Sequence, residues 1–195
     1  ITGDNIQDAI VFLDQPQTED ITGFTLLAAP ATIDAIATTY GVELDPTRGH
    51  FAAIVNDCTG AIAGAEITLA GADDATRIGY FDAGAPSADA TETDSTGGVN
   101  ALNVPVGDLV VSAFLPGDEV VNVGSHRVFI RAGFISEIVI RPDLALPPRL
   151  GCGLGRDNTA PPEGSVEYST RLFDYLSGEF LAGLDVASCE AADTM

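Results

Sequence analysis

The chain has 195 residues and a formal net charge of −21 at pH 7, with 29 acidic residues against eight arginines and no lysine. This charge excludes nucleic acid as a partner, since each phosphate contact needs a positive group. No apolar run approaches the roughly 18 residues of a membrane-spanning helix, so no membrane span is expected. The length allows one good-sized core with partial neighbours.

Residues 1–45 are predicted to form a partial β unit that carries the one convincing helix of the chain, over residues 31–40. Ile33, Ile36 and Ala37 share one face of this helix. Gly41 follows as its C-terminal stop, because glycine readily adopts the left-handed conformation found there.

The central region, residues 46–145, consists of short β-branched or aromatic runs bounded by turn residues, which is typical of an all-β domain. Strands are predicted over residues 51–56, 65–70, 109–114, 126–130 and 134–140. In the last of these, Ile135, Glu137, Val139 and Arg141 alternate with Phe134, Ser136, Ile138 and Ile140. This period of two indicates a half-buried strand.

A long acidic insertion, residues 71–93, separates two of the early strands and is predicted to be a loop. A loop of this length on a rigid scaffold is where a function particular to this chain is expected.

The remaining sequence divides into a Pro/Gly-rich linker, residues 146–165, and a second partial β unit, residues 166–195. Residues 172–189 echo residues 55–69, because each has a Thr/Ser-Gly turn, a small residue and an apolar run. Residues 2–13 are a looser copy. The two flanks either belong to larger neighbours or add strands to the central domain.

The central region resembles the carboxypeptidase regulatory-like domain, a transthyretin-like (prealbumin-like) antiparallel β-sandwich of about seven strands. The resemblance lies in residues 60–69 (GAIAGAEITL), the turn at 93–97 (TDSTG), the turn at 103–107 (NVPVG) and the following valine-rich strand. It implies a non-enzymatic extracellular, cell-surface or periplasmic module for protein assembly or adhesion. The partners it implies are other envelope or extracellular proteins, including further copies that add strands to a sheet edge.

Two other binding functions are compatible with the residues. The acidic insertion and the turn after it carry Asp73, Asp74, Asp82, Asp89 and Asp94, oxygen ligands of the kind that calcium uses, although no ordered EF-hand array is present. Calcium-dependent adhesion is therefore one alternative, with calcium as the only cofactor considered. Tyr80 and Phe81 form the other candidate, a sugar-stacking platform for a glycan.

Enzymatic activity is not expected. His50 and His126 are the only histidines, and no nucleophile, base and orienting group can be assembled from the sequence. Ureide hydrolases and intradiol dioxygenases have related sandwiches, and their activities would require closely grouped histidines, which this sequence lacks.

The cysteines Cys58, Cys152 and Cys189 lack any CxxC pair, which argues against a zinc site. One disulfide with one spare thiol is preferred, and all three pairings are open. A disulfide implies an oxidising compartment. Three free buried thiols are the alternative.

Overall fold

A computed structural model describes residues 1–2, 4, 6–12, 28–142 and the backbone alone of residues 21–27 and 168–174. The described chain is predominantly β, with a single helix. Its elements are, in chain order, β1 (Ala9–Phe12), β2 (Ile21–Leu27), α1 (Pro30–Tyr40), β3 (Gly49–Val55), β4 (Glu66–Ala70), β5 (Arg77–Asp82), β6 (Ala85–Ser87), β7 (Gly98–Val104), β8 (Gly107–Leu115), β9 (Val121–Ile130), β10 (Ile135–Ile140) and β11 (Tyr168–Asp174).

Two sheets enclose the main core. The larger has the strand order β1-β10-β3-β7-β5-β6, and the smaller has the order β4-β8-β9. Phe51, Val55 and Val99 of the larger sheet pack in one cluster with Val111 and Val123 of the smaller sheet. The coarse prediction of an all-β sandwich is compatible with this architecture.

The prediction of an antiparallel sandwich over residues 46–145 is wrong at one strand pair of that region, β10 and β3, and the two flanks contribute two further parallel pairs. β1 is parallel to β10, β10 is parallel to β3, and β2 pairs in parallel with β11 outside the two main sheets. Period-two alternation determines which face of a strand is buried, but it carries no information on the direction of the neighbouring strand. The N-terminal flank thus adds β1 to the sheet of the central region.

The prediction of a loop over residues 71–93 is also wrong, since this segment contains β5 and β6. Ala83 and Gly84 connect the two strands and both have positive φ, at 49° and 80°. This backbone is typical of a tight hairpin turn, whose twist matches that of the strands beside it. The central region therefore contains eight strands, β3 to β10.

The predicted helix is confirmed as α1, and Gly41 ends it in the left-handed conformation. Ile33, Ile36, Ala37 and Tyr40 pack against Leu102 on the face of the larger sheet that points away from the sandwich core. We call this the outer face.

Tyr40 attaches the end of α1 to β5. Its hydroxyl donates to the carbonyl of Tyr80 at 3.1 Å, and its ring lies against Gly79, where any Cβ would overlap the ring atoms. Glycine at this position is therefore required by the close approach of the helix.

Gly79→Ala is expected to lower the free energy of unfolding by about 1–3 kcal/mol, because the added methyl group displaces the Tyr40 ring. Urea unfolding of the single variants and of the Gly79→Ala, Tyr40→Ala double variant measures the coupling. The methyl group should cost much less when Tyr40 is absent. An equal cost in both backgrounds would contradict this account of the contact.

Candidate functional site

The central strands of the larger sheet present side chains to two different environments. On β10, Ser136, Ile138 and Ile140 are buried on the side of the sandwich core. Ile135, Glu137, Val139 and Arg141 point to the outer face and line a cavity there. The predicted alternation is confirmed, but its second face is covered in part by α1 and is not simply solvated.

The cavity on the outer face has a volume of about 750 Å³ and lies between the N-terminal half of α1 and strands β1, β10, β3, β7 and β5. We call it the outer-face groove. Most of its lining is apolar, the small Ala52 lies at its floor, and the Phe81 ring lies against Gly98. Its volume is in the range of about 300–1,000 Å³ that is usual for small-molecule sites.

One row of paired residues crosses the floor of the groove. Glu137 of β10 lies between Val11 of β1 and Ala52 of β3, and Ala52 in turn lies beside Asn100 of β7. Neighbouring strands are about 4.8 Å apart, so the Cα atoms of Glu137 and Asn100 are separated by roughly 10 Å. Both side chains rise on either side of the small Ala52.

Several polar atoms of the groove are buried without a hydrogen-bond partner. They are Nδ1 of His50, Oδ1 of Asn56 and both carboxamide atoms of Asn100. His50 and Asn100 are each only 6% exposed. Burial raises the pKa of the Tyr40 hydroxyl, and the nearby Asn100 carboxamide lowers it by a smaller amount. The two groups are close, but they do not form a hydrogen bond.

Glu137 is the most perturbed acid of the described chain. Burial raises the pKa of its carboxyl from 4.5 to about 8. The side chain keeps some exposure because it lines the groove, while protein atoms surround it on the other sides. Arg141 follows Glu137 by four residues on the same face and has an interaction of its own. Sequence reasoning placed Glu137 on the correct face, but its apolar setting depends on the pairing with Val11, Ala52 and Asn100.

His50 is held neutral in the groove, because burial lowers the pKa of its imidazole. His126 lies on β9 of the smaller sheet, so the two histidines stand on different sheets. Within the described lining of the groove, the unpartnered His50 Nδ1 forms no pair with a hydroxyl nucleophile. A largely apolar cavity with a few polar groups, as in this groove, is the usual form of a small-molecule site.

The five acids predicted as calcium ligands are all described. Asp82, Asp89 and Asp94 line one small cavity, whereas Asp73 and Asp74 lie outside it. The Arg48 guanidinium binds Asp73 through two hydrogen bonds of 2.8 Å and lowers the pKa of that carboxyl to about 2. Asp94 accepts hydrogen bonds from the backbone N–H groups of Gly84 and Thr96. Throughout the described ranges, no group of three or more His, Cys, Asp or Glu side chains is placed to hold a metal ion.

The exposed aromatic platform predicted at Tyr80 and Phe81 is not formed by this pair. Tyr80 is 7% exposed and Phe81 is 5% exposed. Tyr80 belongs to the sandwich core, where its hydroxyl accepts the backbone N–H of Ile67 at 3.0 Å. Phe81 is on the opposite face of β5 and lines the outer-face groove. Successive residues of a strand point to opposite faces, which separates the two rings.

The edge strand β4 is partly protected against pairing with another chain. The backbone N–H of Ala65 donates to the Thr93 hydroxyl at 3.0 Å, and the Ala65 carbonyl accepts the N–H of Thr93. Together with the Tyr80 hydroxyl, these bonds occupy groups that strand addition at this edge would need.

Cys58 lies exposed in the turn of residues 57–60 and is not a free thiol. Cys152, Cys189 and the predicted linker lie outside the described residues, so the disulfide and its pairing stay predictions. Of the described helices, none has the length and apolar character needed to cross a membrane.

Comparison of the sequence with protein-family models gave no match, and comparison with curated proteins gave none either. The resemblance to the carboxypeptidase regulatory-like domain therefore rests on the turn and strand pattern alone.

Replacing Glu137 should change how stability depends on pH. Because the folded-state pKa is raised to about 8, the stability this group contributes is fully present below pH 4.5 and is lost as the pH rises to 8. At about 1.4 kcal/mol per pKa unit the loss is at most about 5 kcal/mol. Glu137→Gln should remove it.

The measurement is urea unfolding of the wild type and of Glu137→Gln between pH 4.5 and pH 9. Glu66→Gln, on β4 of the other sheet, removes the same charge and should keep the wild-type slope. Parallel curves for the wild type and Glu137→Gln would refute the raised pKa.

Proposed function

We propose that this chain is a non-enzymatic binding module of an extracellular or cell-envelope protein and that it binds its partner in the outer-face groove. The observation that carries the proposal is the set of buried, unpartnered polar atoms on His50, Asn56 and Asn100 within one largely apolar cavity.

The free-energy cost of burying polar groups without hydrogen bonds supports the groove as the binding site. A buried polar group without a hydrogen bond costs about 1–3 kcal/mol, and such groups are rare in folded proteins. Here four such atoms, on His50, Asn56 and Asn100, lie at one cavity that is large enough for a ligand. Local violations of good packing are expected at functional sites, where a bound partner supplies the missing hydrogen bonds.

The groove favours binding over catalysis. Catalysis of group transfer requires a nucleophile in hydrogen-bond reach of a base that a third group orients. His50 lacks a partner at Nδ1, and burial lowers its pKa, so it remains a neutral donor or acceptor. A polar atom of this kind fixes the orientation of a ligand.

The cellular location is proposed from the composition and the family resemblance. A net charge of −21 suits a soluble surface that repels anionic partners. The predicted disulfide and the carboxypeptidase regulatory-like pattern both favour an oxidising, extracellular or envelope compartment. The partners remain envelope or extracellular molecules.

Titration with Nile red, a neutral apolar dye, tests whether the groove is an accessible site. The wild type should bind one dye molecule saturably, and Ala52→Leu should weaken binding at least tenfold, because leucine fills the floor of the groove. Thr68→Leu is the matched control, since Thr68 is exposed on β4 of the other sheet, and it should bind like the wild type.

Thermal unfolding of each variant shows that the fold is retained, and Ile54→Phe serves as a second blocking variant. Equal dye binding by the wild type, Ala52→Leu and Ile54→Phe would refute the groove as the binding site.

A further inference from the structure

We propose that the outer-face groove selects a primary amine with an apolar body, whose ammonium group lies between Glu137 and Asn100. This inference rests on the proposed function and names its class of ligand.

The balance of donors and acceptors points to an amine. In the row that crosses the floor of the groove, the carboxylate of Glu137 and Oδ1 of Asn100 are acceptors, and this amide oxygen is buried without a partner. In this row, only Nδ2 of Asn100 is an unpartnered obligatory donor. A ligand that satisfies this set must be rich in donors, and an ammonium group has three.

The spacing on the sheet fits one ammonium group. Glu137 and Asn100 are in the same row, with only the methyl group of Ala52 between them. Their Cα atoms are roughly 10 Å apart. Two side chains of this length, separated by this distance, can both reach a single nitrogen above Ala52.

The next row offers the surface for an apolar body. Val139 of β10 pairs with Ile54 of β3, and Ile54 pairs with Gly98 of β7. All three line the groove, and this row lies about 7 Å further along the strands. A flexible alkyl chain extending from the ammonium group contacts Val139 and Ile54, beside the Phe81 ring that lies against Gly98.

The carboxylate of Glu137 and the net charge of the chain favour a cation over an anion. The amino group of Ile1 is the charged group that acts on Glu137, and Arg141 and His50 line the same groove. His50 is neutral because burial lowers its pKa, and Arg141 already has an interaction. An anionic ligand would lie against the Glu137 carboxylate, whereas the net charge of −21 attracts cations to the whole chain.

Binding should strengthen with rising pH. The carboxyl of Glu137 has a pKa of about 8 in the empty groove, and an alkylamine stays protonated up to about pH 10, like lysine. The affinity for the amine should therefore increase between pH 6.5 and pH 9, and the bound ammonium group should lower the pKa of Glu137.

Isothermal titration of the full chain with octylamine, 1-octanol and octanoate at pH 8.5 tests the inference. Octylamine should bind at least tenfold more tightly than 1-octanol, and octanoate more weakly than either. Glu137→Gln should lose the preference for the amine and keep the weak binding of the alcohol. Glu66→Gln, which lies outside the groove on β4, should bind all three like the wild type.

Equal affinity for octylamine and 1-octanol, or an unchanged preference in Glu137→Gln, overturns the choice of ligand and leaves the groove as the binding site. If none of the three molecules binds and Nile red also fails, the proposed function itself is refuted. Thermal unfolding of Glu137→Gln at pH 8.5 verifies that this variant is folded.

Discussion

The burial of Glu137 between Val11 and Ala52 on the larger sheet is the constraint on which the outer face depends. A strand in the middle of a sheet has two faces, and the smaller sheet covers only one face of β10. The other face must be covered by α1 or remain a groove. The helix covers one part of this face, and the groove occupies the rest above the small Ala52.

The same arrangement explains why the polar residues of this face lack partners. Neighbours of Glu137 in its row are Val11 and Ala52, neither of which offers a polar side chain. Asn100 lies beyond Ala52, and Tyr40 uses its hydroxyl on the Tyr80 carbonyl. The attachment of α1 through Tyr40 and Gly79 thus fixes the helix and also leaves the Asn100 carboxamide available to a ligand.

The sequence was sufficient for elements whose signal is local. The end of α1 at Gly41 follows from glycine chemistry, and the two faces of β10 follow from alternation. Alternation could not show that β1 and β3 would flank Glu137, since both are distant in sequence and parallel to β10. The charges of the acidic segment suggested a loop, although the segment forms β5 and β6. The burial of Tyr80 could not be predicted, because its hydroxyl accepts the N–H of Ile67 on the other sheet.

The most direct test of this account is the titration of Glu137 itself. The side-chain carboxyl carbon of Glu137 can be followed by NMR in ¹³C-labelled protein and identified by its loss in Glu137→Gln. The account predicts an apparent pKa of about 8 in the free protein and a lower value with saturating octylamine. An ordinary pKa near 4.5 in the free protein would mean that the carboxylate is solvated, and it would contradict the desolvated groove on which the account depends.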